Sequence, residues 1–348
     1  MSADERSPAG INVDNVTAWL AAQASASGTS VEPPLTFRQI AGGRSNLTFQ
    51  VSDSSGQSWA LRRPPTGNVL ASAHDMNREH RVMSALAPTS VPVPAMIGLC
   101  TDHSVNDADF YVMDWVEGTV VRSAKIAEKF DLKTRRAMGR SVVENLAAIH
   151  QVDIDSVGLG DFAKRAGYVE RQLRRWKGQV DKTESTPDPM IDRAFEQLTG
   201  RVPEQHNTRL VHGDFRLDNT IVDDNGAVVA VLDWELTTLG DPLADLGAML
   251  TYWSRPGDPV VALTDPPTLA DGFSERDEVV AIYEEAMGST VGDVAFFHSF
   301  ATWRLACILH GVVDRYRAGA MGKADDFDPD EWASQVSVLA ETSLDLLG

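Results

Sequence analysis

Between about residues 35 and 113 the apolar positions fall mainly into short strand-like runs, and from about residue 124 they recur at helical spacing. Before the change, residues 13–24 read as a helix on Val13, Val16 and Leu20, with Asn12 as a candidate cap. Residues 1–11 read as disordered, and the small-residue and proline run 25–34 as a linker. A strand over 35–40 and a turn over 41–46 come next; Leu47, Phe49 and Val51 then alternate as a half-buried strand does. Residues 59–62 predict another strand, with Ala60 and Arg62 on one face. A helix over 74–87 carries the stripe Met76, Met83, Leu86, and Glu79 falls on that stripe. A lone buried carboxylate is costly, so Glu79 calls for a cation. Strands over 96–100 and 110–113 follow, then an extended segment, 114–118.

The second part predicts helices over 131–150, 162–180, 189–200, 243–253, 274–287, 293–316 and 329–347. His150 ends the first of these and reads as a cap or core residue. Ser274, with Asp277 three residues on, resembles a capping box. One hairpin interrupts the helices: residues 220–222 and 227–232 flank the turn sequence Asp223-Asp224-Asn225-Gly226. The expected class is therefore α+β, in two lobes: an N-terminal extension with a helix (1–34), a small β-rich lobe (35–113), a hinge (114–118) and a larger, mainly helical lobe (119–348).

Charge narrows the partners. Lys and Arg number 31 against 50 Asp and Glu, a net −19, which argues against nucleic acid and anionic membrane surfaces. The balance is uneven: residues 201–348 hold 26 acids and 9 bases, and residues 119–200 hold 12 acids and 15 bases. Within 162–180, Lys164, Arg165, Arg171, Arg174, Arg175 and Lys177 face one acid, Glu170. Such a helix face is ordinarily solvated; Arg171, Arg174 and Arg175, three and four apart, would otherwise meet an anionic acceptor. Cys100 and Cys307 lie far apart and form no metal or redox pattern. The polar, acidic N-terminus is unlike a signal peptide, and no apolar run approaches the ~20 residues of a membrane span, so a cytoplasmic protein is expected.

The chemistry concentrates in residues 210–247. His212-Gly213-Asp214 is followed by Asn219, giving H-x-D-x-x-x-x-N, and Asp233 closes the hairpin. A hairpin brings its ends together, so Asn219 and Asp233 are expected side by side, with Asp214 on the loop before them. Two hard oxygen ligands beside a free carboxylate suit Mg²⁺ carrying a nucleotide polyphosphate, with a base for an acceptor hydroxyl.

This layout resembles the catalytic loop and metal-binding aspartate of protein kinases, with Gly213 in place of Arg and Asp-Trp-Glu in place of Asp-Phe-Gly. It is more similar to the aminoglycoside phosphotransferase and choline kinase-like family, whose loop reads H-G-D-x-x-x-x-N. HGDFRLDN, LDWE and GDPLADLG look most like the kinase-like domain fused to certain animal acyl-CoA dehydrogenases, and like its free-standing bacterial relatives. The resemblance implies a protein-kinase-like fold over roughly residues 35–320, with ATP and Mg²⁺. It implies that Asp214 orients or deprotonates the acceptor hydroxyl and that Asn219 and Asp233 hold Mg²⁺. Arg62, or Arg63 if the strand slips, would reach the phosphates in partnership with Glu79, and Arg62 departs from the family's usual Lys. Ser45 and Asn46, in a turn with only two glycines, would donate to phosphate. Ala60 would leave room for adenine, and the hinge residues Met113, Asp114, Trp115 and Val116 would hold it between the lobes. Arg216 would neutralise charge on the transferred group, His212 would shape the loop, and Asp245 would hold the loop backbone.

Seven residues separate Asp233 from Asp241, which leaves no room for the longer segment that seats peptides in protein kinases. The expected function is phosphoryl transfer from ATP to a hydroxyl of a small molecule, a hydroxyacyl or CoA-linked acceptor by the nearer resemblance. A cationic acceptor, such as an aminoglycoside or choline, would suit the acidic C-terminal half. A nucleotide-binding pseudokinase is the remaining class, and the presence of Asp214, Asn219 and Asp233 weighs against it. The sequence leaves the oligomeric state open.

Overall fold

The computed structural model describes residues 8–26, 28–40, 46–66, 75–259, 265–319 and 328–348. Ser45, the turn before it and part of the 255–270 loop lie outside them. The chain divides into two compact units: residues 1–118 with Val229–Glu235, and Thr119–Val228 with Leu236–Gly348.

The first unit is built on a five-stranded antiparallel sheet. Helix α1 (Val13–Ala26) precedes strands β1 (Thr36–Gln39), β2 (Leu47–Ser52) and β3 (Ser58–Arg63); helix α2 (Met76–Leu86) leads to β4 (Met96–Cys100) and β5 (Phe110–Asp114). The order is β1-β2-β3-β5-β4. Strand alternation sorts the side chains by face. Trp59, Leu61, Phe110 and Val112 join Val16 and Leu20 of α1 in one core, with Trp19 edge-on to Phe110 at 4.9 Å. The N-terminal helix is thus part of this unit's core, and Ile11, within the segment read as disordered, is buried. Ala60 and Arg62 alternate onto the opposite face, and their cross-strand partners are Met113 and Tyr111. Asp75 caps α2 by accepting from the Arg78 N–H, and Glu79 lies in the buried stripe with Met76, Val82, Met83 and Leu86. Val229–Glu235 is tied into the unit by the Val231 N–H donated to Pro92 O and by the fully buried Trp234.

The second unit is mainly helical: α3 (Ala124–Ala127), α4 (Leu132–Gln151), α5 (Tyr168–Val180) and α6 (Pro189–Gly200) precede strands β6 (Arg209–Val211), β7 (Thr220–Val222) and β8 (Val228–Val231), the last running on into the first unit's Val229–Glu235. Strand β9 (Thr238–Gly240) pairs antiparallel with β6. Helices α7 (Leu243–Tyr252), α8 (Arg276–Met287), α9 (Val294–Arg317) and α10 (Pro329–Leu347) complete it. One core joins α5, α6, α7, α9 and α10 around Phe296, Phe300 and Trp303, and the Trp303 indole donates to Ile191 O at 3.0 Å. Asp223 builds the predicted turn by accepting from the Asn225 and Ala227 N–H groups. Both cysteines are free and buried, and no helix among the described residues is long and apolar enough to cross a membrane.

Two helix starts differ from expectation. The basic helix begins at Tyr168 rather than 162, because Gly167 stands at φ 65° and turns the chain just before it; Lys164 and Arg165 are off the helix. The box expected at Ser274 does not form: Glu275 is the cap residue, without a side-chain bond, and Ser274 instead gives its carbonyl to the Trp253 indole.

Gly247 sets the approach of α7 to α9. A Cβ there would stand 2.2 Å from Phe297 O, which is backbone and cannot swing away. Gly247→Ala is expected to cost about 2 kcal/mol or more, seen as a fall of roughly 5 °C in the melting temperature. An unchanged melting temperature would contradict this packing.

Candidate active site

In the first unit a single guanidinium faces three carboxylates. Arg62 Nε lies 3.3 Å from Glu79 Oε2, and Nη2 lies 2.5 Å from Asp233 Oδ1 and 3.8 Å from Glu235 Oε2. Glu79 is almost wholly buried; it accepts from the Tyr111 hydroxyl at 2.9 Å and the Asn46 amide at 3.1 Å. That amide also reaches Glu235 at 3.2 Å, so in this structure Asn46 is directed at carboxylates. Arg63 alternates to the other face and pairs with Asp107 at 2.7 Å, so of the two arginines it is Arg62 that meets Glu79. Asp233 is the non-glycine residue at positive φ among the described residues, at 65°. Asp tolerates that left-handed conformation better than most side chains do, at a modest strain.

The excess of acid is felt by Glu79. Burial pushes its carboxyl up, Arg62 and Tyr111 draw it down, and Asp233 and Glu235 raise it again, leaving it at about 7 against an ordinary 4.5. The folded state therefore holds a proton here that the unfolded chain has lost. The stability this contributes is present below about pH 4.5 and is lost as pH rises through about 7. In the nucleotide-free protein, Glu79→Gln is expected to gain melting temperature over the parent between about pH 5 and about pH 8. A difference independent of pH would remove the assignment.

The second unit carries the H-G-D loop. Gly213 stands at φ 88°, and a Cβ there would lie 2.7 Å from Leu236 O, so the loop needs glycine twice over. Its backbone is held from behind: the His212 and Gly213 N–H groups donate to Asp245 at 2.6 and 2.9 Å, and Arg304 Nη2 donates to Gly213 O at 3.1 Å. Burial opposes the charge on Asp245, yet the His150 contact and the Gly213 N–H hold its carboxyl below the ordinary range. His150 Nε2 lies 3.3 Å from that carboxylate. Asp214 itself is part-exposed. Asn219 Nδ2 donates to its carbonyl at 2.8 Å and its carboxylate at 3.0 Å, and Arg216 Nε stands 3.4 Å from the same oxygen. Arg216 is shared with Asp218 at 3.3 Å and lies over the Tyr252 ring at 4.9 Å. Burial pushes the Asp218 carboxyl up, with Asp214 adding and Arg216 opposing.

Asn219 thus belongs to the second unit and Asp233 to the first. Of the hinge residues, Met113 is buried and the Asp114 N–H is donated to Ala95 O, while Trp115 and Val116 are half-buried. Sequence reasoning missed Tyr111, Glu235, Arg304, Asp218 and Tyr252. Only Tyr111 carried a usable signal, since strand alternation places it on the face of Met113. Among the described residues no three His, Cys, Asp or Glu side chains form a self-contained metal site. Asp233 in the first unit and Asn219 in the second each offer a hard oxygen donor of the kind that Mg²⁺ takes.

Several known proteins are similar to this chain in sequence or in fold. The phosphotransferase enzyme family (APH) matches residues 36–285. Mouse acyl-CoA dehydrogenase family member 10 is 35% identical over 301 residues, 85% of this chain and 28% of that protein. Human acyl-CoA dehydrogenase family member 11 is 34% identical over 340 residues, 95% of this chain and 42% of that protein. The chain therefore spans less than half the length of these curated relatives. A Ralstonia eutropha protein provisionally described as an aminoglycoside phosphotransferase superposes with a TM-score of 0.80 at 31% identity, over 97% of this chain and 98% of that one. With its helix-held H-G-D loop and its Arg62–Glu79 pair, the chain belongs to the phosphotransferase enzyme family.

Proposed function

We propose that this phosphotransferase moves the γ-phosphoryl group of ATP to a hydroxyl of a small molecule. The observation that carries the reading is Asp214: a part-exposed carboxylate on a backbone locked by Asp245 and Arg304, with its side chain fixed by Asn219. Such a group accepts the acceptor's O–H in a set direction and takes the proton as the oxygen bonds to phosphorus and ADP departs. Arg62, braced by Glu79, is the candidate for the α- and β-phosphates, and Asp233 and Asn219 are the candidate Mg²⁺ ligands. When bound, Mg²⁺ supplies neutralising charge at the phosphate oxygens. Arg216, already shared by Asp214 and Asp218, steadies the base and adds positive charge beside it.

For the acceptor we favour a hydroxyacyl or CoA-linked compound. The basic segment supports it in reduced form. Arg165 pairs with Asp155, Lys177 with Asp181 and Asp192, and Arg171 reaches Lys164 O. Arg174 and Arg175 remain exposed on α5 and form no ion pair among the described residues, so they are the better candidates for an acceptor phosphate. The Ralstonia protein's description supports the second reading, a cationic antibiotic acceptor. ATP consumption across a panel of hydroxyacyl thioesters, hydroxylated metabolites, aminoglycosides and choline tests both. Turnover with a thioester is expected, and turnover confined to cationic acceptors would overturn the preference.

A further inference from the structure

Tyr283 lies in α8 with its side chain buried, and its hydroxyl stands 2.7 Å from Nδ1 of His150. The His150 ring is fully buried; it meets Tyr283 edge-on at 5.7 Å and turns Nε2 to Asp245 Oδ2 at 3.3 Å. Asp245 in turn takes the N–H groups of His212 and Gly213. Three buried side chains, Tyr283, His150 and Asp245, thus connect α8 to the backbone beside Asp214.

The proton positions follow from what each group lacks. Among the described residues, the Tyr283 hydroxyl has no hydrogen-bond partner other than Nδ1. Burial, with Asp245 and Asp241 adding to it, raises Tyr283 above its ordinary range, so the phenol keeps its proton. A proton on Nδ1 would leave that phenolic hydrogen buried without an acceptor, at a cost of about 1–3 kcal/mol. A bare Nε2 would turn a lone pair on the Asp245 carboxylate. One arrangement satisfies every group: Tyr283 donates to Nδ1, and Nε2–H donates to Asp245.

We propose that Tyr283 is a positioning residue for the H-G-D loop, holding His150 as the neutral, Nε2-protonated tautomer so that Asp245 keeps a donor behind it and remains aligned on the His212 and Gly213 N–H groups. The kinetic consequence rests on the phosphotransferase reading, whereas the tautomer does not.

Long-range ¹H–¹⁵N spectra of histidine-labelled protein read the tautomer directly, with the His150 signal assigned by its loss in His150→Gln. A neutron crystal structure gives the same information should that variant not fold. The parent is expected to show Nδ1 as a hydrogen-bonded acceptor and Nε2 as protonated. In Tyr283→Phe, Nδ1 should lose its bonded signature, the His212 and Gly213 amides should exchange roughly tenfold faster, and kcat should fall several-fold with KM for ATP unchanged. A proton on Nδ1 in the parent, or a variant with parental Nδ1 signature and amide exchange, overturns the proposal. The expected tautomer and exchange in a protein that transfers no phosphoryl group would uphold the positioning role and sink the phosphotransferase reading instead.

Discussion

Asp214→Asn is expected to lower kcat by roughly 10³-fold or more while leaving the affinity for ATP·Mg²⁺ within about twofold. Asn keeps the shape and still accepts through one oxygen, so the Asn219 contact survives in part. It cannot take a proton. Arg216 loses its Asp214 ion pair and keeps Asp218, which preserves the local packing over Tyr252. The groups assigned to the nucleotide, Arg62, Glu79 and Asp233, hold one another and do not depend on Asp214. Steady-state kinetics beside calorimetric titration of ATP separate the two effects. A variant that binds ATP weakly and still turns over would reverse the assignment.

The second large effect is expected at Asp233. Asp233→Asn removes a charged hard-oxygen donor and should weaken ATP·Mg²⁺ binding by about 10- to 100-fold, with turnover falling in parallel. The free protein should not suffer. Asn tolerates the left-handed backbone at φ 65° nearly as well as Asp does. One guanidinium would then face two carboxylates instead of three, which relieves repulsion around Glu79. A melting temperature equal to or slightly above the parent's, together with lost binding, is the expected pair of results. Unfolding of the variant, or unchanged nucleotide affinity, would remove Asp233 from the metal role.

Much of this was legible in the sequence because local patterns carried it. The alternation Leu47, Phe49, Val51 became β2, and the apolar stripe that included Glu79 became the buried face of α2. The ambiguity between Arg62 and Arg63 needed the sheet: only the register that sets Arg62 opposite Tyr111 shows which arginine shares a face with Glu79. The packing of α1 was not legible, because its short stripe gives no hint of the sheet face it covers. Arg304 and Tyr283 were invisible for a similar reason. Each lies within a predicted helix some 90 and 130 residues from its partner, and nothing in helix periodicity marks a side chain that reaches a distant carbonyl or ring nitrogen. The Ser274 cap failed because one residue's shift in the helix start gave the capping position to Glu275.

Passage of a phosphoryl group from ATP to a hydroxyl under the control of Asp214 is the central proposal. ³¹P NMR of the parent with ATP, Mg²⁺ and pooled acceptors reads this directly. A new phosphomonoester resonance should grow in step with ADP, and Asp214→Asn should yield neither. ATP bound by the parent with no phosphomonoester from any pool, or a monoester formed equally by Asp214→Asn, would contradict it.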